Sequence, residues 1–176
     1  MRPCFSRPLI GLLVLWLCSC GGSDGSLSGS YRVNDVNILA NDIEIGESVR
    51  VEVFFETKTE FDGSPDGIDV VVRISPSLRF IPGSARIYDD TTDETDSRDP
   101  DGIVECPDGA TFLIFNFEDD DLEDRSIAGA ADFGLRFEAE GIRRNTGAVV
   151  SAAAAENQEF SCSDFASEEQ EVVEVL

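Results

Sequence analysis

The sequence predicts an all-β chain folded as an antiparallel β-sandwich of about seven strands. Three observations carry that prediction. Apolar and polar residues alternate with period two in several separate stretches. Gly, Asp and Pro cluster between those stretches, as turns require. No convincing apolar stripe of 3.6-residue period interrupts them.

Taken in order, Val49, Val51, Val53 and Phe55 alternate with Arg50, Glu52 and Phe54, which describes a strand with one buried face. Residues 59–67 contain Asp62-Gly63 and Pro65-Asp66-Gly67 and read as turns. Ile68, Val70, Val72 and Ile74 then share one side of a second strand. Leu78 and Phe80 are expected to point inward with Arg79 in water, and Pro82-Gly83 turns the chain into a strand over 84–88. Residues 89–109 read as a long acidic loop. Residues 112–117 are almost continuously apolar, which places their strand centrally in a sheet. The carboxylate run over 118–124 ends that strand and keeps its edge from pairing. Asp132 to Glu140 alternates almost without a break. Gly147 to Ala155 is a weaker strand, because the helix propensity of alanine competes with Val149 and Val150. Residues 167–176 fit either a late edge strand or a frayed end.

The start of the chain is of another kind. Arg2 and Arg7 precede a short apolar run over 9–17, and Leu17-Cys18-Ser19-Cys20 follows. This pattern resembles the lipobox of bacterial lipoproteins, in which cleavage before a cysteine leaves its thiol carrying lipid. The apolar run is shorter than the roughly 20 residues a membrane-spanning helix needs. Three parts are therefore expected: a signal over 1–19, lipidated Cys20 with a Gly/Ser-rich tether to residue 30, and a sandwich domain over 31–176. The tether would reach roughly 15–20 Å as a flexible coil. The reading implies a bacterial cell envelope with the lipid as membrane anchor. Gly21 stands where aspartate commonly retains lipoproteins at an inner membrane, so a host with two membranes would place the chain at the outer one.

Charge and cysteine usage narrow the function. The chain of 176 residues carries 36 Asp and Glu against 13 Lys and Arg, a formal net charge of −23. Phosphate would be repelled, so no nucleic-acid partner is expected. Histidine is absent, which removes Ser–His–Asp and Cys–His chemistry. No carboxylate pair stands out for glycoside hydrolysis, and an enzyme is not expected. Cys4 and Cys18 leave with the signal, and Cys20 is used for lipid. Cys106 and Cys162 remain, an even remainder that in an oxidising compartment suggests one disulfide, with two free thiols as the alternative. Lys58 is the single lysine, among polar residues where its amine would stay protonated and unsuited to an isopeptide bond.

Three segments resemble a known family. Gly46-Glu47-Ser48-Val49-Arg50-Val51-Glu52-Val53 is similar to the G-(D/E)-x-V-x-(Y/V)-x-V opening of the bacterial surface-repeat domain known as domain of unknown function eleven. The segment from Ile74 to Ala85 resembles its L-P-x-G-L-x-F-(V/I)-x-G-S stretch, with Ser77 where the family usually has glycine. Asn145 to Ser151 is similar to its closing N-x-A-x-V. The resemblance spans residues 40–155 and implies an immunoglobulin-like sandwich serving as a stalk, spacer or adhesive module. The acidic insertion between Tyr88 and Thr111 is longer than that family has.

Metal chemistry has one plausible address. Counted from Ser97, the loop places Asp99 third, Asp101 fifth, Gly102 sixth and Asp108 twelfth, half of a calcium-loop spacing with both ends wrong. Asp96 and its acidic neighbours could add oxygens, as could the run over 118–124. The plainer reading is a solvated acidic loop. The expected function is a non-catalytic envelope lipoprotein, without cofactor, whose module serves adhesion, protein binding or envelope structure. The alternative is a module in which Asp96, Asp99, Asp101 and Asp108 bind calcium and order a surface for glycan or protein. The partner in either case is an envelope protein or a surface glycan.

Overall fold

The computed structural model describes residues 31–58, 68–89, 95–117, 130–155, 161–163 and 165–176. These hold twelve strands and no helix. In chain order they are β1 (Tyr31–Ile38), β2 (Asp42–Ile43), β3 (Ser48–Lys58), β4 (Ile68–Ile74), β5 (Leu78–Phe80) and β6 (Arg86–Asp89). There follow β7 (Thr95–Ser97), β8 (Gly102–Glu105), β9 (Thr111–Phe117), β10 (Ala130–Gly141), β11 (Asn145–Ala155) and β12 (Glu169–Val175). Sheet A has the order β1-β3-β10-β6-β7, with β5 also paired to β10; sheet B has the order β2-β12-β11-β4-β9-β8. Every pairing is antiparallel except β12 with β2, which is parallel. The sandwich is thus as expected, with more strands than about seven and one parallel pair. Of the members not anticipated, β2, β5, β7 and β8 are two to four residues long, too short for periodicity to register. Strand β1 has eight residues, but a register shift between Val33 and Asp35 puts its buried Val33 and Val36 three apart and breaks the alternation.

The alternation does what the residues require. Val49, Val51, Val53 and Phe55 of β3 face the interior with Leu135, Phe137 and Ala139 of β10, and all are buried. From sheet B come Val70, Val72 and Ile74, then Leu113, Phe115 and Phe117, and the even-numbered positions of β11 from Ala148 to Ala154. Phe55 and Phe117 stack across the two sheets with ring centroids 5.3 Å apart. Leu78 and Phe80 are buried and Arg79 is exposed, and Gly83 takes the turn before β6 at φ 80°. The side chain of Ile68 lies outside the described residues.

Where strands change sheets the packing is tight. At Gly141, which ends β10 in sheet A, a Cβ would stand 2.9 Å from Val175 Cγ1 and 3.2 Å from the carbonyl oxygen of Glu44. Only glycine lets the sheets close there. Strand β11 forms despite its five alanines, because β4 and β12 hold its backbone on both sides.

Two expectations are corrected, and a choice left open is decided. Strand β9 is not central but next to the edge strand β8; its continuous apolarity serves two buried faces. Residues 167–176 are not a frayed end: β12 pairs with β11 from Glu169 to Val175, is capped on its other side by the two-residue β2 only at Glu174 and Val175, and buries Val173 and Val175. Residues 89–109 are not one long loop, because they include β7 in sheet A and β8 in sheet B.

Candidate functional site

The acidic stretch is a crossover from one sheet to the other. The Arg98 amide donates to the Ala85 carbonyl at 3.0 Å on the sheet A side, and the Asp101 amide donates to the Ile114 carbonyl at 2.8 Å on the sheet B side. A crossing chain leaves neighbouring backbone amides without ladder partners, and carboxylates accept from them. Asp99 Oδ1 accepts from the Gly83 amide at 3.0 Å, and Asp101 Oδ2 accepts from the Asn116 amide at 2.8 Å. Arg98 completes the staple. Its Nη2 donates to the Asn116 carbonyl, and its guanidinium lies 5.2 Å from the Phe117 ring centroid.

Asp108 belongs to the turn between β8 and β9. It accepts from the Ala110 amide at 3.0 Å and pairs with Arg73 at 2.6 Å. The Ala110 amide first, and Arg73 next, hold its carboxyl below the usual aspartate range. Asp96 sits on β7 opposite Ile87. Of the four carboxylates considered for calcium, three are therefore aimed at backbone amides in three different places. Among the described residues no three Cys, His, Asp or Glu side chains gather as a metal would need. The run over 118–124 and Cys20 lie outside the described residues, as does the side chain of Lys58.

Cys106 and Cys162 form a disulfide with Cα atoms 5.7 Å apart. Cys106 opens the β8–β9 turn, at the end of sheet B where β4 finishes and β11 begins. Strand β11 runs away from that end, yet Cys162, later in the chain, stands back beside Cys106. Phe165 then meets Phe112 with centroids 4.9 Å apart. Val71, Cys106, Ala110 and Phe112 form a second small core beneath. Just beyond, Glu168 Oε2 accepts from the Val33 amide at 2.6 Å and from the Ala154 amide at 3.2 Å, tying the edge of sheet A to sheet B.

Two of the segments in the family resemblance meet in space. Ser77, fully buried, has its hydroxyl 3.2 Å from that of Ser75 and accepts from Asn145 Nδ2 at 3.0 Å. The Ile142 amide donates to the Ser77 carbonyl at 2.9 Å. A serine in the glycine position thus supplies an acceptor that ties the β4–β5 bend to the β10–β11 bend. The signal for this was present in Asn145 and Ser77, but only the fold pairs them.

The outer face of sheet A carries a shallow cleft of about 440 Å³ whose lining includes Arg50, Arg86, Arg136, Ser84, Glu138 and Pro82. Sequence reasoning missed it, because these residues come from β3, β6, β10 and the turn before β6.

Comparison with known proteins agrees at the level of fold. No family model and no curated protein matches the chain, so the surface-repeat likeness remains a resemblance. Solved structures do match. The N-terminal domain of the Streptococcus gordonii adhesin Sgo0707 aligns with a TM-score of 0.57 at 12% identity, covering 86% of this chain and 33% of that one. The T6 backbone pilin of Streptococcus pyogenes aligns at 0.51 and 13% identity over 82% of this chain and 36% of that one. The major pilin SpaD of Corynebacterium diphtheriae aligns at 0.50 and 10% identity over 83% and 33%. This chain thus spans about a third of each. At such identities the shared property is the immunoglobulin-like sandwich itself.

Proposed function

We propose that the protein is a lipid-anchored, non-catalytic module of the bacterial cell envelope, holding its sandwich away from the bilayer for adhesion or protein binding. The observation that carries this reading is a combination. A sandwich aligned over most of its length with an adhesin domain follows a lipobox-like segment and a Gly/Ser tether. Fold likeness alone would be only analogy. The tether enters at Tyr31, beside the Thr57 end of β3. The opposite end, with the turns over 44–47, 75–77 and 106–110, would then face outward.

Cell fractionation and attachment assays test the two halves. Cys20→Ala should move the protein out of the membrane fraction and reduce cell attachment to a surface coated with extracellular glycan. Retention in the membrane overturns the anchor. Attachment that is unchanged when the protein is deleted overturns the adhesive role.

A further inference from the structure

In a chain of net charge −23, the cleft on the outer face of sheet A is an anomaly of sign. Three of the arginines converge there. Arg86 and Arg136 stand directly opposite each other in the β6–β10 register. Like charges in facing cross-strand positions repel, and sheets normally avoid the arrangement. Glu52 answers one of them, accepting from Arg136 Nε at 2.9 Å. Arg86 is held by dipoles instead: its Nη1 donates to the carbonyls of Gly83 and Ala85 and to Ser97 Oγ. Among the described residues no carboxylate forms an ion pair with Arg86 or Arg50, although Glu138 faces Arg50 across β3 and β10.

We propose that this cleft binds the carboxylate of an acidic sugar, a uronic-acid unit of an extracellular glycan. The inference rests on the adhesive reading above and names its ligand class. Guanidinium groups on two sides offer planar, paired donors that fit a carboxylate, and an anion between Arg86 and Arg136 would relieve their repulsion. Glu138, on the cleft wall, offers acceptors for sugar hydroxyls, while Pro82 and Ile81 give an apolar ledge for a ring face. A ligand that needs a carboxylate and hydroxyl donors in a shallow polar cleft is a uronate rather than an aliphatic acid. The acidic remainder of the molecule opposes this only weakly, since exposed charges beyond about 8 Å are screened at physiological salt.

The test is titration of the purified full chain, in neutral detergent, with glucuronate, glucose and acetate, followed by calorimetry or by chemical-shift changes. Saturable glucuronate binding is expected, at least tenfold tighter than either glucose or acetate. Arg50→Gln should weaken it roughly tenfold without moving the thermal midpoint, because that side chain has no hydrogen-bond or ion-pair partner among the described residues. Acetate binding as tight as glucuronate, no saturable glucuronate binding, or an Arg50→Gln variant that binds like wild type would each overturn the proposal. If cells still attach through the protein while glucuronate fails to bind, the cleft assignment falls and the adhesive reading stands.

Discussion

The inner and outer faces of sheet B are buried by different means. Inside, Val70, Val72, Ile74, Leu113, Phe115 and Phe117 meet a second sheet along their whole length. Outside, Val71 and Phe112 are covered by a returning stretch of chain that contributes Phe165 and is fastened by the Cys106–Cys162 bridge. The first arrangement follows from periodic burial and is held by many side chains at once. The second is a small patch whose cover makes no sheet ladder among the described residues around the bridge, so one covalent bond does what a row of contacts does inside. The comparison shows how an acidic chain of modest size adds a second apolar layer without a third sheet.

The strongest challenge to that contrast is Phe137→Ala, in the inner core, which should cost about 3–5 kcal/mol in denaturant unfolding. A cost below 1 kcal/mol would erase the distinction. Next is the double substitution Cys106→Ser with Cys162→Ser. Releasing a loop with a sequence separation of 56 removes up to about 4 kcal/mol in the chain-entropy model. Hydrogen exchange should localise the loosening to the outer face of sheet B while β3 and β10 stay protected, and loss of protection in β3 would show that the two layers are not separable. Phe165→Ala sharpens the point. It should cost about 1–2 kcal/mol in the bridged protein and almost nothing without the bridge, a coupling that a double-mutant cycle reads directly.

Smaller effects probe the acidic crossover. Asp101→Ala leaves the Asn116 amide without its carboxylate acceptor and should cost about 1–2 kcal/mol, measured by the same unfolding curves. Asp108 is exposed, so its effect is on pH dependence. Its carboxyl is held below the ordinary aspartate value of 3.8 by the Ala110 amide and Arg73. A lowered carboxyl contributes stability that is complete above the ordinary value and is lost as the pH falls through the lowered one. Asp108→Asn should therefore flatten the acid limb of the stability profile, and an unchanged limb would mean that the turn does not depend on this charge.

Much of the sandwich was legible because β3, β4 and β10 each bury one face against the interior, and one buried face prints period two on the sequence. Strand β9 misled for the opposite reason. A continuous apolar run reports two covered faces, and Phe112 is covered by Phe165, so the run did not imply a central position. The spacing of Asp99, Asp101 and Asp108 looked like ligand geometry because alternate carboxylates suit both a metal and a crossing backbone. Their partners, the amides of Gly83, Asn116 and Ala110, point them apart.

By itself the sequence determined the strands with one regularly alternating buried face, such as β3, β4 and β10, the acid excess and which two cysteines were left to pair. Those depend on local conformation and on composition, which neighbours along the chain decide. Only the tertiary structure decided which strands neighbour each other, that Cys162 and Phe165 beyond β11 stand beside Cys106 and Phe112, and that Arg50, Arg86 and Arg136 share one cleft. Those facts depend on contacts between residues distant in sequence, and periodicity carries no record of which segments will lie side by side.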